Sequence, residues 1–250
     1  MKDSNFIWKL LGISRVLYNQ KKNNLALLKV EKIQKEIFYA DLFNDSIKDS
    51  EWFIHKSISP AGWALNYASI YFLYRALDKM KPKRILEFGL GQSSKLIYQY
   101  VDYFEGTTAI TYEHDTKWID FFKNEVDRFY ELNIYLTEVE DVYYKQEKTL
   151  SYKDNCNELK GQKFDFILVD GPYGSEHYSR SQIINLVPDC LMSSFCIMLH
   201  DSERSGEKDT IIELLDKLDC HNIKYCTSTI SSNKDLFVVC SENLKFLLTI

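Results

Sequence analysis

Apolar positions along the chain follow two regimes that change near residue 60. In residues 1–59, Leu25, Leu27, Leu28, Val30, Ile33 and Ile37 fall close to helical spacing among lysines and asparagines. That stretch holds one glycine and no proline, and it reads as two or three helices followed by a turn at Ser59-Pro60-Ala61-Gly62. Trp8 among Leu10, Leu11 and Ile13 admits a helix lying on a membrane surface, but a cap or dimer helix packed on the main domain is the simpler reading.

From residue 63 the pattern alternates between periods. A helix over 63–79 runs into Lys81-Pro82, where proline stops it. Short apolar runs follow at Arg84–Phe88, Thr108–Tyr112, Asn133–Thr137, Phe164–Val169 and Phe195–Leu199. Helical patterns lie between and after them at Ser93–Tyr103, 117–130, Ser179–Val187 and Asp209–Leu218. Such alternation predicts βαβ units and a parallel sheet covered on both faces. Ile223–Thr227 and Leu236–Cys240 are joined by Ser/Asn-rich sequence with no room for a crossover helix, so they should close the sheet as an antiparallel hairpin. The boundaries divide the chain into an N-terminal helical extension, 1–59, and an α/β domain, 60–250. The polar, tyrosine-rich stretch 142–162 reads either as a lid over an acceptor site or as a solvated helical insertion.

Composition narrows the class. With 250 residues, 45% hydrophobic and 27% charged, the chain can bury a large core and is not intrinsically disordered. Lys and Arg number 31 against 36 Asp and Glu, a net charge of −5 that argues against a protein coating phosphate backbones. No stretch approaches the roughly 20 apolar residues needed to span a bilayer. Phe6–Tyr18 is interrupted by Lys9 and Arg15 and makes a poor signal peptide, so a cytoplasmic location is expected. Six cysteines without a Cys-x-x-Cys pair read as reduced, mostly buried thiols.

The strongest chemical signal is Arg84-Ile-Leu-Glu-Phe-Gly-Leu-Gly-Gln-Ser-Ser94, a strand that enters a glycine turn and then a helix. Gly89 and Gly91 let a ligand approach the backbone, and the helix N-terminus offers unpaired N–H groups. A dinucleotide fingerprint needs a third glycine where Ser94 stands, which disfavours a nicotinamide oxidoreductase, and the Walker lysine is absent. Glu87 at the strand end would repel pyrophosphate and suits a ligand carrying positive charge. Glu113 ends the next strand, where a carboxylate can accept ribose hydroxyls.

This arrangement resembles the class I S-adenosylmethionine-dependent methyltransferases, whose first motif is acid-x-Gly-x-Gly. The resemblance spans about residues 63–240 and implies a Rossmann-like, seven-stranded, mostly parallel sheet with an antiparallel C-terminal hairpin. It implies that Glu87, Gly89, Gly91 and Ser93 line the methionine part of S-adenosylmethionine, that Glu113 holds the ribose, and that Glu140 and Asp141 lie near the adenine. His114 could flank the adenosine, but it reads more simply as a solvated neighbour of that site.

Asp170, in Phe164-Asp-Phe-Ile-Leu-Val-Asp-Gly-Pro-Tyr-Gly174, leaves the fourth strand where the family faces the transferred methyl group. Base-directed amino-methyltransferases carry Asp/Asn-Pro-Pro-Tyr there; Asp170-Gly171-Pro172-Tyr173 departs at the second place. Tyr178-Ser-Arg180 should point to the same mouth and could hold an anionic or hydroxylated acceptor. At the fifth strand end, His200 beside Asp201 makes an acid–base cluster with Asp170. The same acids could instead hold a divalent cation, and the metal stays open. The expected function is methyl transfer to an oxygen of a small molecule or sugar, a cell-surface glycan precursor among them. Catalysis would rest on Asp170, His200 and Asp201, and a homodimer could form through the N-terminal helices. The rivals are a nucleic-acid base N-methyltransferase and a non-catalytic scaffold.

Overall fold

The computed structural model describes residues 2–60, 62, 64–126, 133–153 and 159–249, with backbone alone for 2–11, 13 and 14. Seven strands form one sheet in the order β3-β2-β1-β6-β7-β9-β8. These are β1 (Arg84–Phe88), β2 (Thr108–Glu113), β3 (Ile134–Leu136), β6 (Phe164–Val169), β7 (Leu191–His200), β8 (Tyr225–Ser231) and β9 (Asp235–Ser241). β1 pairs in parallel with β2 and β6, β2 with β3, and β6 with β7. β9 is antiparallel to both β7 and β8. The chain moves outward from β1 to β3 and then returns to β6, so the topological switch point lies between β1 and β6. Open α/β sheets bind ligands at that point.

The central strands are buried on both faces. One core joins Ile85, Phe166, Leu168 and Met198 to helices α2 (Tyr67–Met80) and α3 (Gln92–Tyr103). The other joins Leu86, Phe88, Ile167 and Val169 to α5 (Gln182–Leu186) and α6 (Ser205–Cys220). α4 (Thr116–Glu125) follows β2, and a 3₁₀ helix, Glu242–Leu248, closes the chain. Cys190, Cys196 and Cys240 are buried; Cys220 is exposed. Cys156 lies outside the described residues.

Several boundaries differ from the sequence reading. The N-terminal region forms one 45-residue helix, α1 (Lys2–Ser46), in place of two or three; no proline, and only Gly12, interrupts its backbone bonds. Its last turns pack on the domain through Phe43, and Glu36 accepts from the Tyr67 N–H and the Ser232 hydroxyl. The periodic residues Leu25, Leu27, Leu28, Val30, Ile33 and Ile37 remain exposed. Trp8 and its neighbours lie outside the described side chains. α2 starts at Tyr67 because Asn66 caps it, its Oδ1 accepting from the Ser69 N–H at 3.1 Å. α6 begins at Ser205, so Gly206 sits inside a helix and not in a loop; there a Cβ would collide with the Ser175 carbonyl oxygen. β8 starts two residues later than expected.

The stretch 142–162 contains no helix among its described residues. β4 (Val139–Tyr144) and β5 (Glu147–Tyr152) form a separate antiparallel hairpin. The hairpin leans over the strand ends: the Leu150 N–H donates to the Ser175 hydroxyl, and the Thr149 hydroxyl donates to the Tyr178 carbonyl. Alternating polar residues on a two-stranded ribbon look locally like a solvated segment, and only these tertiary contacts hold it in place.

Candidate active site

At the C-terminal end of β1 the chain turns sharply at Gly89, whose φ of +97° is the left-handed region that favours glycine. A Cβ there would stand 3.0 Å from the Asp170 carbonyl carbon and from the Gly171 nitrogen, so the turns after β1 and β6 touch through glycine backbone. Gly91 then caps α3, its N–H donating to the Ser94 hydroxyl at 3.0 Å. Beneath the turn Glu87 is fully buried. It accepts from the hydroxyls of Ser93 (2.6 Å), Ser94 (2.7 Å) and Thr111 (2.9 Å). Burial lifts its carboxyl to about 7, with the three hydroxyl donors pulling the other way. Glu87 therefore organises the turn from below, through the two serines.

Glu113 ends β2 and is also buried. Its Oε2 accepts from the Leu90 N–H at 3.0 Å; its Oε1 accepts from the N–H groups of His114 and Asp115 and faces His114 Nδ1 at 2.9 Å. Burial works against its charge, but the His114 side chain and these backbone donors hold the carboxyl below the usual range. Three partners surround Oε1 and one reaches Oε2, which leaves acceptor capacity on Oε2 for one hydroxyl. His114 is half-buried and packs edge-on against Tyr173 at 4.6 Å. It is part of the site wall, in contrast to the solvated neighbour expected. Glu140 and Asp141 lie exposed on β4, and Asp141 pairs with Lys148 at 2.8 Å.

Tyr152, at the end of β5, fills the space over the two glycine turns. Its ring stacks on Phe88 (5.9 Å) and lies 6.0 Å from Tyr112, and a Cβ on Gly171 would collide with its hydroxyl. That hydroxyl is buried without a hydrogen-bond partner among the described residues.

β6 and β7 bring Asp170, His200 and Asp201 together. His200 is fully buried; its Nδ1 lies 2.9 Å from Asp170 Oδ1, while Nε2 has no hydrogen-bond partner among the described residues. Burial opposes charge on Asp170, but His200, Arg180 and Lys234 hold its carboxyl below the ordinary aspartate range. Arg180 does not open to the mouth as expected. Its side chain is 5% exposed and bridges the strand ends, Nη1 donating to the His200 carbonyl at 2.8 Å and Nη2 to Asp201 Oδ2 at 3.2 Å. Tyr178 packs against Tyr144 of the hairpin at 4.9 Å.

Candidate ligand atoms of Asp170, His200 and Asp201 lie within 4.8 Å of one another, the spacing of a cation site. Cations of the protein already stand against both acids, although Asp201 Oδ1 has no hydrogen-bond partner among the described residues. Arg180 Nη1 stands 3.3 Å from Asp170 Oδ1, Arg204 Nη2 3.0 Å from Asp201 Oδ2, and Lys234 Nζ 3.6 Å from Asp201 Oδ1. A divalent ion does not fit this neutralised set.

The structure thus gathers Glu87, Gly89, Gly91, Ser93 and Glu113 at the β1–β2 ends, and Asp170, His200 and Asp201 at the β6–β7 ends. Sequence reasoning missed Ser94 and Thr111 as partners of Glu87, Tyr152 as the cover, and Arg204, Glu207 and Lys234 as part of the ion cluster. Ser94 was legible as a helix-start hydroxyl, and Arg204 stands three residues after Asp201; Thr111, Tyr152, Glu207 and Lys234 meet their partners through the fold.

No family model and no curated protein sequence matches the chain. Solved structures do. A Bacillus cereus O-methyltransferase in complex with SAH aligns with a TM-score of 0.50 at 12% identity, over 84% of this chain and 91% of that one. TomG of Streptomyces achromogenes, an O-methyltransferase in complex with SAM, aligns with a TM-score of 0.52 at 8% identity, over 83% and 89%. A Staphylococcus aureus protein assigned as a caffeoyl-CoA O-methyltransferase gives 0.51 at 12% identity, over 82% and 98%. The seven-stranded sheet with one reversed strand and the order of its strands are therefore those of the class I methyltransferase fold.

Proposed function

We propose that this chain is an S-adenosylmethionine-dependent methyltransferase acting on an oxygen of a small molecule or sugar. One observation carries the reading. At the switch point, a glycine turn on a helix N-terminus sits beside a buried imidazole whose Nδ1 is held by Asp170 and whose Nε2 is unclaimed. The residues fit the cofactor. The backbone at Gly89 and Gly91 would allow close approach, the backbone of Ser93 at the start of α3 would meet its amino-acid end, and Glu113 Oε2 would accept from a ribose hydroxyl. Bound there, the cofactor supplies a methyl group activated by a sulfonium. Asp170, kept ionised by its neighbours, accepts from His200 Nδ1–H and so leaves the Nε2 lone pair free. That nitrogen would take the acceptor's hydroxyl proton, while the bound cofactor would give up its methyl to the acceptor oxygen by loss of its C–S bond and leave as the neutral thioether. Positioning of the two reactants supplies much of the remaining effect.

Tyr152 lies where the cofactor must approach, so the β4–β5 hairpin is read as a lid that lifts for binding. Isothermal titration with S-adenosylhomocysteine tests the proposal. Binding is expected, with loss in Gly89→Asp; well-folded protein that binds none refutes it. A second reading, methylation of a nucleic-acid base, draws on Tyr173, which is 57% exposed beside Asp170-Gly171-Pro172 and presents a ring for stacking. It requires a salt-sensitive gel shift, which the net charge of −5 disfavours. A scaffold would bind the cofactor and turn over no acceptor.

A further inference from the structure

We propose that Arg180 is the resident cation of the acceptor site, standing where a divalent ion would otherwise sit, and that the site works without a metal. The inference rests on reading this cluster as the acceptor site.

Arg180 leaves the backbone at a φ of +61°, which drives its side chain inward between the ends of β6 and β7. Its guanidinium is directed at groups a metal would claim. Nη1 reaches the His200 carbonyl and Asp170 Oδ1, Nη2 reaches Asp201 Oδ2, and Nε donates to the Pro172 carbonyl at 3.3 Å and lies 3.8 Å from Glu207 Oε1. Two carboxylates that look like a ligand pair in the sequence thus share one planar cation. Around them, three acids (Asp170, Asp201, Glu207) meet three cations (Arg180, Arg204, Lys234), and the Ser179 hydroxyl donates to Glu207 at 2.9 Å. An incoming divalent ion would enter a balanced cluster and face a guanidinium that cannot lose its proton.

Arg180 also does what a structural ion does in such a place. It fixes the carboxylate of Asp170 and the backbone of His200 at once, so the Asp170–His200 bond is set before any acceptor arrives. It is a positioning residue: it acts on the acceptor through Asp170 and His200.

Electron paramagnetic resonance titration of the full chain with Mn²⁺ tests this directly. The wild type should take up no ion tighter than about 1 mM. R180M, which removes the cation and leaves the acids, should gain a site about tenfold tighter or better, and the further change D170N should abolish it. R180Q, which can still donate to the His200 carbonyl, replaces R180M if that variant does not fold. A wild type that binds one Mn²⁺ below about 0.1 mM and loses it in D170N overturns the proposal. So does a folded arginine variant that gains no site. The S-adenosylhomocysteine titration reads the methyltransferase assignment separately, so failure of one is not failure of the other.

Discussion

Replacing Glu87 by Gln is the sharpest test of how the glycine turn is built. Glu87 is buried beneath that turn, and burial lifts its carboxyl from 4.5 to about 7 even though three hydroxyls donate to it. The folded state then holds the proton more tightly than the unfolded chain does. Stability from this group is fully present below pH 4.5 and is lost as pH rises through 7. The whole displacement corresponds to about 3 kcal/mol. Because the sequence pI is about 5.6, where solubility is poorest, the useful window is pH 6 to 8. Over that window the linkage relation gives a loss of about 1.3 kcal/mol for Glu87 and none for a glutamine. Urea unfolding followed by tryptophan fluorescence, run on wild type and Glu87→Gln at several pH values, isolates the group as the difference between the two curves. That difference should move by about 1.3 kcal/mol in favour of the variant as pH rises from 6 to 8. A flat difference would show that Glu87 is ionised throughout and that the hydroxyls, not burial, set its state.

Other expectations follow from single contacts. Tyr152→Phe removes a buried hydroxyl that has no partner and should raise stability by about 1 kcal/mol in the same assay. Tyr152→Ala should cost about 3 kcal/mol yet tighten S-adenosylhomocysteine binding, because the hairpin no longer fills the space over Gly89 and Gly171; unchanged affinity counts against the lid. Gly206→Ala drives a Cβ into the Ser175 carbonyl and the Ser179 side chain and should destabilise by about 2 kcal/mol, seen as a lowered urea midpoint. Asp170→Asn should lower methyl transfer about 100-fold while leaving S-adenosylhomocysteine affinity nearly unchanged, measured by turnover alongside titration.

The parallel sheet was legible because each central strand is a short apolar run closed by turn chemistry, as at Arg84–Phe88 and Phe164–Val169. Burial on both faces leaves no other use for such runs. The reversed β9 was legible too, since Ser/Asn-rich sequence leaves no space for a crossover helix. The β4–β5 hairpin was not. Its residues alternate without a dominant apolar face, and its position depends on Ser175 and Tyr178, some 25 residues away. The single long α1 escaped for a related reason. Apolar residues along its exposed part are half or more exposed, so periodicity told of a helix but not of its extent.

The strand-end residues show where local reading stops. Glu87, Glu113 and Asp170 were placed correctly at successive ends because position along a strand is a local property. Their states are not. Glu87 meets Ser93, Ser94 and Thr111; Glu113 meets the backbone of Leu90; and Asp170 meets His200 and Arg180. In sequence, Asp170 and Asp201 read as members of an acid–base cluster with His200, a cation left open, and Arg180 reads as a hook for an acceptor. The fold adds Arg204 from the start of α6 and Lys234 from the β8–β9 turn, and it turns Arg180 inward. The loop after β6, the turn after β7 and the β8–β9 turn thereby meet at one cluster. If Arg180 is the resident cation, as proposed, then three built-in cations stand where acids at this sheet edge would otherwise offer a metal site.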